Sequence, residues 1–387
     1  LFAENIGIVI QAKEDSVFES TLNNDAIPFY KLGTVTTTDN LQLTTDNSQP
    51  TTVNLQLSAY RDIWFETSYL LDQKQTQHHQ ATARFENYKN QSLQYVFPKH
   101  FTGKKPIDES TSTALGVTKT SASTLSSRAQ SRDAKPKAAI IREKGSNSER
   151  EMANAMYLSG FDVKDVHMTD LISGREDLKD IQFIGAVGGF SNSDVLGSAK
   201  GWAGAFLYNE KAKTVLEDFF KREDTLSVGI CNGCQLFMEL EIIYPEHEIH
   251  GKMKHNQSHK HESIFTSVKV QENHSVMLSS LAGSTLGVWV SHGEGKFDLP
   301  YDEDQYHIVA KYGYEGYPAN PNGSDYNTAM LCDKTGRHLV MMPHIERSTF
   351  PWNWAHYPKD RNDAVSPWLE AFVNARNWIE NVHENAK

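Results

Sequence analysis

Leu226-Ser227-Val228-Gly229-Ile230-Cys231-Asn232-Gly233-Cys234-Gln235-Leu236-Phe237-Met238-Glu239-Leu240 is the stretch from which the fold can be read. A short apolar run of strand character meets a glycine-punctuated turn, and a helix-forming segment follows at once. Cys231 therefore stands at the tip of a strand-turn-helix corner. Gly229 and Gly233 leave room for a strained turn and close backbone approach. The helix beginning after Cys231 directs free N–H groups and its positive dipole end at the sulfur, which favours a thiolate. A lone cysteine in a βα corner is more often a small buried core residue. The frame Gly-x-Cys-x-Gly-x-Gln on such a corner points instead to a nucleophile.

Cys231 and Cys234 also spell C-x-x-C, which opens a redox or zinc reading. Cys332 is the third and last cysteine of the 387 residues, so histidines would have to complete a zinc site. The run His247, His250, His255, His259 and His261 is the available supply, although surface loops collect histidines without binding anything.

The length allows two or three domains and a full core. A net charge of −11 and the lack of a basic stripe exclude nucleic acid or an anionic membrane as the main partner, leaving a small molecule. Three cysteines make no disulfide framework, which favours a reducing, cytoplasmic setting. No apolar run approaches the roughly 20 residues that span a bilayer, and no signal-peptide pattern opens the chain. The chain begins at Leu1 in text that already reads as ordered, so a piece of a longer protein is expected.

Residues 1–105 alternate strands and helices: a strand over Ile6–Ala12, a helix over Asp15–Leu22, strands between Phe29 and Leu57, then a helix from Ser58. Tyr60, Ile63, Trp64 and Leu71 share a face of that helix and are expected to pack in a core. Gly103 to Lys137 is rich in Ser and Thr without apolar periodicity and reads as an exposed linker. The expected domains are thus 1–105, an α+β piece, a linker over 106–136, and 137–387. In the last, strands at Ala138–Ile141, Asp162–His167, Ile181–Val187 and Leu226–Ile230 alternate with helical segments. One helix opens at a capping box of Ser146 and Glu149, and another runs unbroken through Trp202 and Phe206 to Arg222. That order predicts an α/β fold with a doubly wound, mostly parallel sheet, its site at the carboxyl ends of the strands. Gly188-Gly189-Phe190 then lies at the same edge as Cys231.

A thiolate nucleophile needs a proton carrier and donors for the oxyanion. Val340-Met341-Met342-Pro343-His344-Ile345-Glu346-Arg347 offers His344 at a strand end, with Glu346 two residues on and, along an extended chain, on the same side to orient the ring.

Gly-Ile-Cys-Asn-Gly-Cys-Gln with Pro-His-Ile-Glu-Arg resembles the class I (triad) glutamine amidotransferases. Ile141 to Glu149, Gly188 to Gly197 with Gly201-Trp202-Ala203, Ser291-His292-Gly293-Glu294-Gly295 and Tyr317 to Ser324 resemble, more narrowly, the phosphoribosylformylglycinamidine synthase family. The match runs from about 138 to 358, with residues 1–105 similar to the end of that family's synthetase region. The resemblance implies Cys231, His344 and Glu346 as a catalytic triad. It further implies Gly189, Phe190 and the N–H of Asn232 as the oxyanion region, Gln235 as a substrate-positioning side chain, and no metal site. It implies glutamine as the substrate of this chain. Formylglycinamide ribonucleotide, ATP and Mg²⁺ would be served by synthetase residues of the full-length enzyme, so that this piece alone is at most a glutaminase with no cofactor of its own. The sequence departs from the family's pattern at Ile345, where proline is frequent, and at Lys260, where arginine is expected within Asn256 to Glu262. A metal-binding or redox C-x-x-C protein and a non-catalytic module of the same fold are the competing readings. Retention of Cys231, His344 and Glu346 together speaks against the second.

Overall fold

The computed structural model describes residues 10, 16–30, 33–44, 52–87, 94–106 and 135–385, and the chain divides between Phe65 and Glu66 into two compact units. In the first, helix α1 (Ser16–Asn24) precedes a hairpin of β1 (Asn40–Thr44) and β2 (Thr52–Gln56), with Asn40 opposite Gln56. Helix α2 (Leu57–Gln75) follows at once, its first turn tied by Ser58 N–H and Oγ donating to the Asp39 carboxylate at 3.1 and 2.6 Å. The strand expected at Ile6–Ala12 lies, apart from Ile10, outside the described residues, as does most of the expected linker, at 107–134.

The apolar stripe of α2 is not core. No residue of the helix is buried, and Tyr60, Ile63, Trp64 and Leu71 are all exposed, Trp64 at 81%. Periodicity specifies which face is apolar; only a second surface can bury it, and the described residues supply none.

The segments that follow α2 pack within the second unit. From α3 (His78–Asn87), Arg84 pairs with Glu262 at 2.9 Å and Asn87 donates to the Tyr317 carbonyl. Val96 bridges to Thr285, and the Phe97 ring meets Trp354 and Tyr357 edge-on.

The second unit is built on a nine-stranded sheet in the order β4-β3-β5-β6-β13-β12-β11-β8-β9. Strands β3 (Lys137–Arg142), β4 (Asp162–His167), β5 (Phe183–Ala186), β6 (Leu226–Ile230) and β13 (His338–Met341) form the parallel half. The antiparallel half adds β12 (Thr328–Cys332), β11 (His307–Tyr312), β8 (Glu262–Val270) and β9 (Thr285–His292). A short pair, β7 (Lys252–Lys254) with β10 (Lys296–Asp298), stands apart. The expected α/β sheet is present, with its second half antiparallel. Strands β5, β6, β12 and β13 are buried throughout, in keeping with their largely apolar sequences, which only Ser227, Thr328 and His338 interrupt.

Helices α4 (Glu149–Leu158), α5 (Met168–Ser173), α6 (Lys200–Leu207), α7 (Glu210–Lys221), α8 (Asn232–Glu239) and α9 (Trp368–Asn385) flank the sheet. Fully buried Phe161, Phe183, Trp202, Phe206, Phe237 and Trp368 fill the space between. Two local expectations are corrected. The helix expected to run to Arg222 is broken at Tyr208-Asn209, where the Asn209 side-chain Oδ1 caps a new helix by accepting from Ala212 N–H at 3.0 Å. Ser146 is no cap for α4: its hydroxyl donates to the Glu143 carbonyl at 2.7 Å, and Ser148 occupies the cap position at φ 76° with no side-chain cap bond.

Two glycines let β5, β6 and α8 approach. A Cβ on Gly229 would stand 2.6 Å from the Gly233 carbonyl oxygen, and one on Gly233 would stand 2.0 Å from that of Ala186. Backbone cannot yield as a flexible side chain can, so Gly233→Ala should destabilise the chain by more than about 2 kcal/mol, read from its urea unfolding midpoint. A midpoint within error of the parent would refute this account of the corner.

Candidate active site

Cys231 bridges the end of β6 and the start of α8 at φ 54°, ψ −106°, a backbone that L-residues rarely adopt. The strain is held from both sides. Met341 lies opposite Ile230 in the parallel register, so Cys231 N–H donates to the Met341 carbonyl at 2.8 Å, while the Cys231 carbonyl accepts from Gln235 N–H at 3.0 Å. The side chain is 5% exposed, and its Sγ lies 3.7 Å from the Ser291 carbonyl oxygen.

His344 reaches the same point from β13. Its N–H donates to the Trp289 carbonyl at 2.8 Å, fixing the backbone, and its Nδ1 stands 2.7 Å from Glu346 Oε1. The route to that contact differs from the expected extended chain. Residues Ile345–Arg347 form a 3₁₀ turn, which curls the carboxylate back onto the ring. Both side chains are buried, and among the described residues neither His344 Nε2 nor Glu346 Oε2 meets a hydrogen-bond partner. A Cβ on Gly188 would lie 2.8 Å from His344 Cε1 and 3.4 Å from Cys231 Cβ, so the ring and the sulfur-bearing carbon face one another across a position only glycine can fill. Burial, the largest influence on the imidazole, acts to lower its pKa; the Glu346 carboxylate and Cys231 outweigh it, and the net shift is upward.

The other expected site residues divide. Gly189 (φ 127°) is pressed against Ser146 and Asn147, and among the described residues its N–H makes no hydrogen bond. Phe190 N–H, by contrast, is donated to the Gly145 carbonyl at 3.0 Å, so this expected oxyanion donor is already engaged, and the ring lies half-exposed beside His261. The strand-like bridge between Ser146 and Gly189 uses every second N–H, a pairing that spacing along the chain does not reveal. Asn232 opens α8, where backbone N–H groups have no intrahelical acceptor. Its buried side chain accepts from Ser191 N–H at 3.1 Å and donates to Gln235 Oε1 at 2.9 Å. Gln235 Nε2 donates in turn to the Glu294 carbonyl at 2.7 Å, and the residue is 4% exposed. Its amide thus ties α8 to the Ser291–Gly295 turn.

Reasoning from the sequence assigned no part to Ser291, whose carbonyl meets the sulfur, nor to Arg347, which donates to Asn147 Oδ1 at 2.6 Å and pins the 3₁₀ turn. Their signal was adjacency to the motifs. A cleft of about 650 Å³ opens on His344 and Glu346 and is walled by Arg150, Trp289, Phe350 and Trp352.

Cys234 is fully buried, and desolvation, with the nearby Cys231, pushes its thiol well above the usual range. All three cysteines are free, and among the described residues no group of three His, Cys, Asp or Glu side chains could hold a metal ion. His250 and His255 instead stand near Glu241 and Glu294, and His247 stacks on Tyr244. Among the described residues no helix is long and apolar enough to cross a membrane.

Residues 135–379 match the CobB/CobQ-like glutamine amidotransferase domain family. The chain belongs to that family. It is 43% identical over 270 residues to the phosphoribosylformylglycinamidine synthase of Homo sapiens, covering 63% of this chain and 20% of that protein. To the enzyme of the same name from Dictyostelium discoideum it is 33% identical over 421 residues, covering 99% of this chain and 30% of the relative. The chain spans between a fifth and three tenths of the length of these curated relatives. A solved structure, PurLQS from Thermotoga maritima, aligns over 63% of this chain and 99% of its own with a TM-score of 0.50 at 23% identity, a likeness of fold.

Two consequences are measurable. Iodoacetamide should modify Cys231 and leave Cys234 intact until the chain unfolds, as peptide mass mapping would show; equal modification in the folded protein would revive the C-x-x-C redox reading. The His344 ring should stay protonated through neutral pH because its folded pKa is raised. In Glu346→Gln, with the carboxylate gone and only Cys231 left to oppose burial, the pKa of the ring should fall, as a pH titration of ¹⁵N-labelled imidazole shifts would report. An unchanged titration would remove Glu346 as a cause.

Proposed function

We propose that Cys231, His344 and Glu346 form the triad of a glutaminase. The observation that carries this reading is the buried His344–Glu346 pair, at 2.7 Å, facing the strained Cys231 corner across Gly188. With its proton passed to His344, the Cys231 sulfur attacks the side-chain carbonyl carbon of glutamine as a thiolate, and the carbonyl electrons move to its oxygen. The C–N bond then breaks as His344 gives its Nε2 proton to the leaving nitrogen, and ammonia departs from a thioester. His344 takes a proton from water, which attacks the thioester and frees glutamate. Glu346 holds the ring's orientation and favours its charged form. The oxyanion formed in both steps would be met by the N–H groups of Gly189 and Asn232, the second at a helix N-terminus. Gln235 shapes the pocket through its bonds to Asn232 and Glu294.

The relatives' names extend the reading. We assign the glutaminase to 137–387 and treat 106–136 as its linker to a synthetase portion that ends in 1–105. The ammonia would serve ATP-dependent conversion of formylglycinamide ribonucleotide to formylglycinamidine ribonucleotide, in a reducing compartment such as the cytoplasm. ATP, Mg²⁺ and the ribonucleotide are assigned to the parts of the longer relatives that lie outside the matched span.

The test is glutamine hydrolysis. His344→Ala should lower turnover by about 10²–10⁴-fold, the usual worth of a positioned proton carrier, whereas Glu346→Gln should keep measurable activity. Equal, complete loss in folded Glu346→Gln and His344→Ala would contradict the division of roles. A Cys231→Ala chain that still hydrolyses glutamine would end the proposal.

A further inference from the structure

Two fully buried asparagines, distant in sequence, hold the Ser291–Gly295 turn. Asn256 grips it at three points: its N–H donates to the Gly293 carbonyl at 2.8 Å, its Nδ2 to the His292 carbonyl at 2.6 Å, and its Oδ1 accepts from Gly295 N–H at 3.0 Å. The remaining Nδ2 hydrogen reaches the Lys260 carbonyl at 3.0 Å. Asn322 holds the inner side, with Nδ2 2.6 Å from the Gly295 carbonyl and 3.0 Å from His292 Nε2. Gly295 leaves no slack, since a Cβ there would stand 2.1 Å from His292 Cδ2.

The turn so held touches the corner at two places, the Ser291 carbonyl at Cys231 Sγ and the Glu294 carbonyl at Gln235 Nε2. The side-chain oxygen and nitrogen of both asparagines are engaged, and among the described residues neither is bonded to the sulfur. A side-chain amide offers donor and acceptor at one fixed span, which is what a turn presenting both C=O and N–H inward requires. Aspartate, of the same shape, keeps the acceptor and loses both donors.

Asn256 is in turn anchored from outside. Lys260 pairs with Asp72 of α2 at 2.6 Å, and Arg84 of α3 pairs with Glu262, which also accepts from the Tyr317 hydroxyl at 2.9 Å. The segment Asn256–Glu262 thus joins the active-site turn at one end to α2 and α3 at the other.

We propose that Asn256 is a positioning residue of the glutamine site, setting the Ser291–Gly295 turn against Cys231 so that the turn selects for a bound carboxamide substrate rather than activating the sulfur. The proposal rests on the nucleophile reading of Cys231. It separates two quantities that a purely structural residue would move together: recognition of the substrate and intrinsic reactivity of the thiol.

The 387-residue chain and its Asn256→Asp and Asn256→Ala variants would be treated with a glutamine-shaped chloroketone and, separately, with iodoacetamide. Adduct formation at Cys231 is followed by mass spectrometry, and thermal melting is recorded beside it. The expected result is a rise of at least about tenfold in the chloroketone concentration for half-maximal labelling rate, with iodoacetamide labelling within about threefold of the parent. Unchanged chloroketone labelling overturns the proposal. So does a parallel change in both labelling rates with a lowered melting temperature, which makes Asn256 a structural residue only. If both variants fail to fold, Asn322→Asp carries the same comparison on the other side of the turn, with the same two overturning results. An unaltered chain that forms no chloroketone adduct at Cys231, while iodoacetamide still labels it, refutes the nucleophile reading and this inference with it.

Discussion

Everything around the proposed nucleophile depends on three backbones meeting where side chains would keep them apart. With Gly229 and Gly233 bare, α8 settles against β6 and β5 closely enough for the Gly233 Cα to lie beside the Ala186 carbonyl. That approach leaves Cys231 no ordinary conformation. A positive φ in a non-glycine residue costs on the order of 1–3 kcal/mol, and the structure sustains it through the bond from Cys231 N–H to Met341 and the first turn of α8. The sulfur is thereby fixed relative to two neighbouring strand ends, one carrying Gly188-Gly189 and the other His344.

The second constraint is electrostatic. A carboxylate as buried as that of Glu346 would be costly alone, and removing its partner would leave an uncompensated charge in a medium of low dielectric. The imidazole 2.7 Å away supplies that partner, and among the described residues its own Nε2 and the second carboxylate oxygen meet no hydrogen-bond partner. Buried polar atoms without partners are uncommon in folded proteins, and two of them together beside a strained cysteine make a pattern that stability alone does not favour. The Ser291–Gly295 turn, held by Asn256 and Asn322, closes the other side.

Burial of β3, β5 and β6 was legible because small and apolar residues dominate them, and the corner at Cys231 because glycine spacing leaves few alternatives. The turn from His344 to Glu346 was read as extended, since a 3₁₀ turn and a strand end leave the same two residues near each other. The capping box at Ser146 failed because its hydroxyl turns back to the Glu143 carbonyl while its backbone bridges to Gly189, in the loop after β5 about forty residues further on.

The sequence by itself named Cys231, His344 and Glu346 as the candidate site and marked four of the five parallel strands, β3, β4, β5 and β6, because these readings follow from side-chain type and local period. Tertiary structure alone decided the antiparallel half, the insertion of β13 beside β6, the engagement of Phe190 N–H by Gly145, and the exposure of the α2 stripe. These depend on which surfaces and backbone groups meet across long separations. Local period names the face or the donor, and only the packed chain supplies, or withholds, its partner.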